Sequence, residues 1–401
     1  MKVIILGAGP SGLMCAIEAS KNGHDVIILE KNEKAGKKIY ITGKGRCNIT
    51  NNCEVNDFMK NVVHNSKFLY SAINAFKPSD TINFFENNGV PLVTERGNRV
   101  FPVSYKASDI TRSLLKECEK NKVKIFYHTN IEKIEKKDKF IIYYNKTLKL
   151  EADKLVIATG GASYPLTGST GDGYVIAKKF NHEIITPTPA LCALRVNDKI
   201  SYIAKGLTLK NVALHAFNDK VHYVNEGELF FDKGTIDGPI AIKTSSLIAN
   251  TENIKLYIDL KIALTKEQID DRLLREFTAN PNLSLKEELT KILPIQMVSD
   301  FIDRVKLTPS TKVGQIKKEE RERIATYLKQ YKLDYVGLSD FSRAIITRGG
   351  VSIKEINPKT FESKITPNLY FVGEVIDVDA FTGGFNMQIA LSTGFSCGKY
   401  M

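Results

Sequence analysis

Lys2-Val3-Ile4-Ile5-Leu6-Gly7-Ala8-Gly9-Pro10-Ser11-Gly12 opens the chain, and Asp25-Val26-Ile27-Ile28-Leu29-Glu30 follows after a short interval. Residues 2–6 are β-branched and apolar without alternation, which predicts a strand buried on both faces. Residues 10–22 place Leu13, Ile17 and Ser20 on one helical face with Ala16 and Ala19 alongside, and Asn22-Gly23 stops the helix. Asp25 to Leu29 reads as a second buried strand with Glu30 at its carboxyl end. Strand, glycine turn, helix and strand in about 30 residues form a βαβ unit of a parallel sheet. Within it Gly7 allows the tight turn, Gly9 lets the backbone approach a pyrophosphate, and Gly12 lets helix and strand pack closely. The helix start then offers N–H groups and partial positive charge to phosphates. Glu30, 18 residues past Gly12, is placed to accept both ribose hydroxyls of an adenosine. A carboxylate there disfavours a 2′-phosphate, so FAD or NAD is expected and NADP is not.

Working outward, Lys154 to Thr159 and Leu369 to Val372 are two more buried-strand runs, each followed by glycine. Between them, residues 191–260 alternate in short strand-like segments: Val212 to Phe217, Leu229 to Phe231 and Ile254 to Leu260. Residues 261–330 have helical periodicity, many charges and Pro281, Pro294 and Pro309 as punctuation. The expected organisation is a nucleotide-binding domain made from 1–190 and 342–401, interrupted by an inserted domain at 191–341.

The 401 residues carry 57 Lys and Arg against 45 Asp and Glu, a net charge of +12. Most of the excess sits in residues 1–190, with 28 basic and 19 acidic side chains. Such an excess favours encounter with a polyanion such as RNA; the lysine-rich stretch Arg112 to Lys149 is its local support, diluted by Glu117, Glu119, Glu132, Glu135 and Asp138. Hydrophobic residues at 43% and charged residues at 25% are those of a soluble globular chain, and no run of 18 apolar residues exists. The glycine turn follows the first apolar run at once and leaves no room for the core of a signal peptide. Six irregularly spaced cysteines make no disulfide framework. A cytoplasmic protein is expected.

Three further segments carry chemistry. Lys37, Lys38, Lys44 and Arg46, interleaved with Gly36, Gly43 and Gly45 and with no acid between Lys34 and Cys53, suit a loop lying against an anionic cofactor. Gly373-Glu374 follows a buried strand and precedes Asp377, a place suited to a ribityl chain and diphosphate. Gly383-Gly384-Phe385-Asn386-Met387-Gln388 opens a helix expected over Gln388 to Gly394, whose N–H groups suit the pyrimidine edge of a reduced flavin. Gly168-x-x-Gly171-x-Gly173 follows no second βαβ unit and is read as part of the same cofactor domain. Cys47, inside the basic loop, is a candidate proton donor; Cys47 and Cys53 lack the usual redox-disulfide spacing. No zinc spacing, nucleophile elbow or Walker loop is present.

These motifs resemble the BaiN/RdsA (HI0933-like) family of FAD-dependent oxidoreductases over essentially the whole chain. The resemblance is carried by Gly36 to Asn51, by Ala158-Thr159-Gly160-Gly161 with Thr170 to Tyr174, by Gly227-Glu228-Leu229-Phe230-Phe231 with Gly238-Pro239, and by Gly349-Gly350-Val351 with Gly373 to Asp377 and Thr382 to Gln388. It implies a Rossmann-like α/β FAD domain of the glutathione-reductase and fumarate-reductase type, with an inserted β-rich plus helical domain. The FAD contacts it implies, together with the readings above, are Gly7, Gly9, Pro10, Ser11, Gly12, Glu30, Lys31, Lys37, Lys38, Thr42, Gly43, Arg46, Cys47, Asn48, Thr159, Gly160, Gly161, Gly373, Glu374, Asp377, Gly384, Phe385, Asn386 and Met387. Many relatives carry a Thr-His pair after the Gly-Glu-Leu-Phe-like strand; Phe231-Asp232-Lys233 stands here instead, so the role the family gives that histidine is not carried over to this position. The resemblance further implies NADH or NADPH as a transient donor, an insertion that selects the acceptor, and reduction of a carbonyl-conjugated C=C bond, with no metal and no membrane. The acceptor is uridine in large-subunit ribosomal RNA or a small steroid-like enone, the basic excess favouring RNA. A flavin-bearing protein without turnover is the third reading.

Overall fold

Val3, Ile4, Ile5 and Leu6 are buried because the strand they form has paired neighbours on both edges and packs against the helix Pro10–Lys21 and the strand Leu148–Ala152. A computed structural model describes residues 1–401, the side chain of Lys44 excepted. Strands β1 (Lys2–Leu6), β2 (Asp25–Leu29), β3 (Lys124–Phe126), β4 (Lys154–Ile157) and β5 (Leu369–Phe371) form one parallel sheet in the order β5-β4-β1-β2-β3. From β1 the chain first builds outward through β2 and β3, then returns to the other edge of β1 as β4. The order therefore reverses between β1 and β4, which is where open α/β sheets hold ligands, outside the carboxyl ends of the strands.

Helix α1 (Pro10–Lys21) covers this sheet and ends at Asn22, with Gly23 at φ +82°. Helix α2 (Asp172–Lys179) follows the Gly168–Gly171 turn. Helix α3 spans Phe385–Tyr400 and lies against α1. The expected end at Gly394 is thus corrected: Gly394 is interior. A Cβ there would stand 2.2 Å from the Ser11 carbonyl oxygen, and one at Gly398 2.4 Å from that of Cys15. Four residues apart, the two glycines form a single stripe on which α1 rests. The close packing this allows outweighs the roughly 1 kcal/mol that a mid-helix glycine costs.

The chain divides into two compact units, Met1–Pro189 with Phe341–Met401, and Ala190–Asp340. The second has its own seven-stranded antiparallel sheet, ordered Tyr331–Leu333, Lys255–Asp259, Thr208–Phe217, His222–Asp232, Thr235–Asp237, Leu194–Val196 and Tyr335–Leu338. Helices Pro239–Ile248, Lys266–Ala279, Leu285–Leu289, Ile295–Arg304 and Lys318–Lys329 accompany it, around a core that includes Leu214, Phe231, Ile258, Phe301 and Tyr331. Among the described residues no helix is long and apolar enough to cross a membrane.

Gly394→Ala is expected to force α1 and α3 apart and to lower stability by about 1–3 kcal/mol, as overpacking does. The midpoint of urea unfolding, followed on the wild type and the variant, checks this; an unchanged midpoint would mean the contact carries no weight.

Candidate functional site

A cavity of about 440 Å³ opens in the first unit at the carboxyl ends of β1, β2 and β4. Its geometry starts from Gly7, whose φ is +105° and whose added Cβ would lie 2.5 Å from the Ala158 carbonyl oxygen. Gly12 is equally constrained, since its Cβ would meet the Gly7 carbonyl oxygen at 2.1 Å. Gly9 is different. Its backbone is ordinary (φ −78°, ψ 179°), and an added Cβ would have no protein atom within 4 Å. Neither conformation nor packing calls for glycine at this position on the cavity wall. The space suits a ligand brought against the main chain, as a pyrophosphate is in this turn.

Helix α1 begins beside Gly9 with Pro10, no side-chain cap and no acid in its first turn. The first N–H groups of a helix have no intrahelical partner and carry partial positive charge. Helix α3 begins in the same way, with Asn386 and Met387 on the cavity wall and neither a side-chain cap nor an acid. Its entry is tight: Gly384 has φ +97° and its Cβ would fall 2.3 Å from the Thr50 backbone. The Asn386 side chain pins the preceding loop, accepting from Ala380 N–H at 2.9 Å and donating to the Ala380 carbonyl at 2.7 Å. Gln388 is a buried brace, accepting from Thr50 Oγ1 at 2.6 Å and donating to the Phe76 carbonyl at 3.0 Å.

Glu30 is buried on the cavity wall, and its carboxylate is already in use. Oε2 accepts the Ala8 N–H at 2.8 Å, while Oε1 accepts the Asn32 N–H at 2.8 Å and the Asn32 side-chain amide at 2.7 Å. A carboxylate has about four acceptor positions, so this arrangement leaves room for one ribose hydroxyl where the sequence suggested two. The basic loop also finds partners. Lys38 Nζ donates to Glu374 Oε2 and to Ser163 Oγ, both at 2.6 Å, and Ser163 Oγ donates to Glu374 Oε1 at 2.7 Å. Lys31 pairs with Asp172 at 2.5 Å, Lys37 with Glu33 at 3.2 Å and Arg46 with Glu95 at 3.2 Å. A local charge count saw the cations but not these acids, which come from outside the loop.

Beside this wall, Arg348 and Asp379 form a buried two-pronged ion pair at 2.8 Å. Asp377 is buried; its Oδ2 meets His64 Nε2 at 3.2 Å and accepts the Asn65 amide at 3.0 Å, while Oδ1 has no partner among the described residues. Asn48 Oδ1 is likewise buried without a partner. Both belong to residues assigned to the cofactor by sequence, yet neither residue lines the cavity. The Gly9 space and the two uncapped helix starts on the cavity wall make the residues present fit an FAD molecule.

The cavity wall brings together Gly7, Gly9, Pro10, Ser11, Glu30, Lys31, Lys37, Lys38, Thr42, Thr159, Gly160, Glu374, Asn386 and Met387. Gly12, Gly43, Arg46, Cys47, Asn48, Gly161, Gly373, Asp377, Gly384 and Phe385 lie off it. Several of these shape it from behind; a Cβ on Gly161 would strike Thr347 Oγ1 at 2.5 Å, and one on Gly373 would strike Ser11 Oγ at 2.5 Å. Cys47 is fully buried at φ +59°, with its thiol pushed up to about 12 by burial. That environment holds a proton and gives no support to proton donation. Sequence reading missed Asn32, the Thr129–Ile134 segment, Thr167 to Ser169, and Val175, Ile176 and Lys179 of α2. Thr129 follows β3, the neighbour of β2, and donates its N–H to the Glu30 carbonyl at 2.9 Å. The glycines at 168 and 171 were the available signal for the second group.

The HI0933-like protein Rossmann domain model matches residues 1–400. This chain belongs to the HI0933-like family. A ribosomal RNA dihydrouridine synthase of Haemophilus influenzae is 30% identical, the match covering 98% of this chain and 96% of that one. A 3-dehydro-bile acid delta(4,6)-reductase of Clostridium scindens is 28% identical over 99% and 98%. The fold is shared with a solved 3-ketosteroid-delta4-(5alpha)-dehydrogenase of Rhodococcus jostii, at a TM-score of 0.51, 12% identity, and coverage of 99% of this chain and 96% of that one. With its family the chain is an FAD-dependent oxidoreductase. Among the described residues no group of three His, Cys, Asp or Glu is placed to hold a metal.

Two outcomes are expected. Gly9→Val should leave the thermal unfolding of the flavin-free protein unchanged yet abolish retention of flavin absorbance after gel filtration; full retention would remove the ligand reading of that space. The hydrogen bond to Asp377 raises His64 above its ordinary value of 6.5. Stability from this pair is therefore fully present below about pH 6.5 and fades as pH climbs through the raised value. His64→Gln should flatten the urea midpoint against pH in that window, and a parallel curve would exclude the linkage.

Proposed function

We propose that this oxidoreductase reduces a carbon–carbon double bond conjugated to a carbonyl, with NADH or NADPH as donor. Its favoured substrate is uridine in large-subunit ribosomal RNA, reduced to dihydrouridine. The observation that carries the chemistry is the pair of uncapped, acid-free helix starts, α1 and α3, on one cavity wall. One suits the diphosphate and the other the negative charge of a reduced ring.

Bound FAD supplies two-electron hydride chemistry between the nicotinamide and the substrate. The protein's part is binding and electrostatics. Backbone N–H groups at Asn386 and Met387 hold developing negative charge, and the Lys38–Glu374–Ser163 network fixes the wall beside them without free charge. Overall, the substrate gains a hydride at the β-carbon and a proton at the α-carbon, while NAD(P)H becomes NAD(P)⁺. A hydrogen bond to the substrate carbonyl would make the β-carbon more electrophilic. The same scheme serves uracil and a 3-oxo steroid, so the substrate must be argued from charge. The net +12, concentrated in residues 1–190, favours a polyanion and does nothing for a steroid. The likeness to the Haemophilus influenzae dihydrouridine synthase points the same way.

Deleting the gene and mapping dihydrouridine in ribosomal RNA tests the substrate. Loss of one site in the large subunit is expected; an unchanged map would transfer the proposal to a small enone. Cys47→Ala separates the half-reactions. With the thiol sealed and pushed up to about 12, neither flavin reduction by nicotinamide nor substrate reduction should slow appreciably in stopped flow. A loss of about 10²-fold or more in substrate reduction alone, the scale of general-acid catalysis, would make the thiol the acid.

A further inference from the structure

In the Ala190–Asp340 unit, strand alternation buries Leu214, Ala216, Leu256 and Ile258 on one face of the seven-stranded sheet and puts the intervening residues on the other. Register makes the second face a compact patch. His215 lies opposite Val224 on one side and Tyr257 on the other, Phe217 opposite His222 and Lys255, and Tyr257 opposite Lys332. Residues directly opposite share a face. The His215 and Tyr257 rings stack at 4.2 Å and 15°, Phe217 meets Tyr257 edge-on at 5.7 Å, and His215 Nδ1 lies 3.0 Å from His222 Nε2. His222 and Val224 are exposed, as are Lys220, Lys255 and Lys332. Among the described residues no acid pairs with these three ammonium groups. On the paired strands of this face the acids are Glu226 and Asp259, and Asp259 is taken by Lys329 at 2.5 Å; Asp219 and Glu252 stand exposed at the hairpin turn that carries Lys220, and exposed Asp334 follows Lys332. Burial and the His222 ring hold His215 below the ordinary histidine range, so its ring is neutral near pH 7.

We propose that this sheet face docks a single-stranded segment of RNA. Its bases stack on Phe217, Tyr257 and the His215–His222 pair, and its phosphates meet Lys220, Lys255 and Lys332. The proposal rests on the RNA reading above and names the surface that holds the substrate. His215, Phe217 and Tyr257 are half-buried on the solvent side of the sheet and stand outside the core cluster of this unit. Bases stack on such rings with little regard to sequence, and unpaired cations at the rim match a phosphate backbone better than an apolar protein surface.

The test uses the FAD-loaded full chain with a fluorescent uridine-rich RNA of about a dozen nucleotides, the length such surfaces span. Anisotropy titrations over a range of salt compare the wild type with Lys255→Gln/Lys332→Gln and Phe217→Ala/Tyr257→Ala. The charge variant, altered only at exposed side chains, should bind more weakly, with a log–log salt slope shallower by about 1.4, as two lost phosphate contacts give. The ring variant should lose about tenfold or more at every salt concentration, and its thermal midpoint is recorded beside it. Dihydrouridine formation in a ribosomal RNA fragment is measured in parallel. Unchanged affinity and slope in both variants, with wild-type dihydrouridine formation intact, would overturn the docking face and leave the substrate reading standing. A wild type that neither binds RNA nor makes dihydrouridine would overturn both. Loss of self-association in sedimentation, with RNA affinity unchanged, would give the face to a second copy of the chain and overturn the proposal.

Discussion

The approach of three main-chain segments at the strand-order reversal is the constraint on which the site depends. Gly7 leaves β1 against the Ala158 carbonyl at the end of β4, and Gly12 brings α1 down on the Gly7 carbonyl. On its far side α1 rests on the Gly394–Gly398 stripe of α3. The two helix starts that face the cavity are therefore held by backbone contacts too close for a Cβ, and at α3 also by the Asn386 and Gln388 side chains. Moving either helix by the width of a methyl group would shift the unpartnered N–H groups that border the cavity. The position that tolerates a Cβ sterically, Gly9, borders the ligand space. Glycines here divide into those that set the frame and one that keeps it open.

Electrostatics follows the same division. The loop from Lys37 to Arg46 looks strongly cationic in isolation, yet Lys37, Lys38 and Arg46 each have a carboxylate partner in the fold. Pairing lowers the cost of placing charge at a partly enclosed wall. Fixed peptide dipoles at the two helix starts add positive potential facing the cavity, beside Lys179 of α2. Dipoles that do not reorganise stabilise developing charge better than mobile side chains. Glu30 shows the same economy: its three N–H partners brace the turn after β1 and the segment after β2, while one acceptor position remains for ligand.

The βαβ unit was legible because its information is local. Unbroken apolar runs, a fixed glycine spacing and an acid at one strand end all lie within 30 residues, and the strands and α1 stand close to where they were read. Non-local geometry was not legible. Glu374 reaches Lys38 across 336 positions and Glu95 reaches Arg46 across 49, so no window around the loop contains them. The Thr129–Ile134 wall was invisible for a similar reason, since only the pairing of β3 with β2 brings it beside Glu30. Gly394 misled in the opposite direction. Local propensity ends a helix at such a residue, and the packing of α1 against it was the deciding term.

Cofactor and substrate thus leave different traces in a chain. A dinucleotide is gripped by main chain, and main-chain geometry writes itself as glycine spacing that survives in one dimension. The sheet face proposed above to dock RNA draws its side chains from separate strands. His215, His222 and Tyr257 carry no spacing that marks them as a group; antiparallel register alone makes them neighbours.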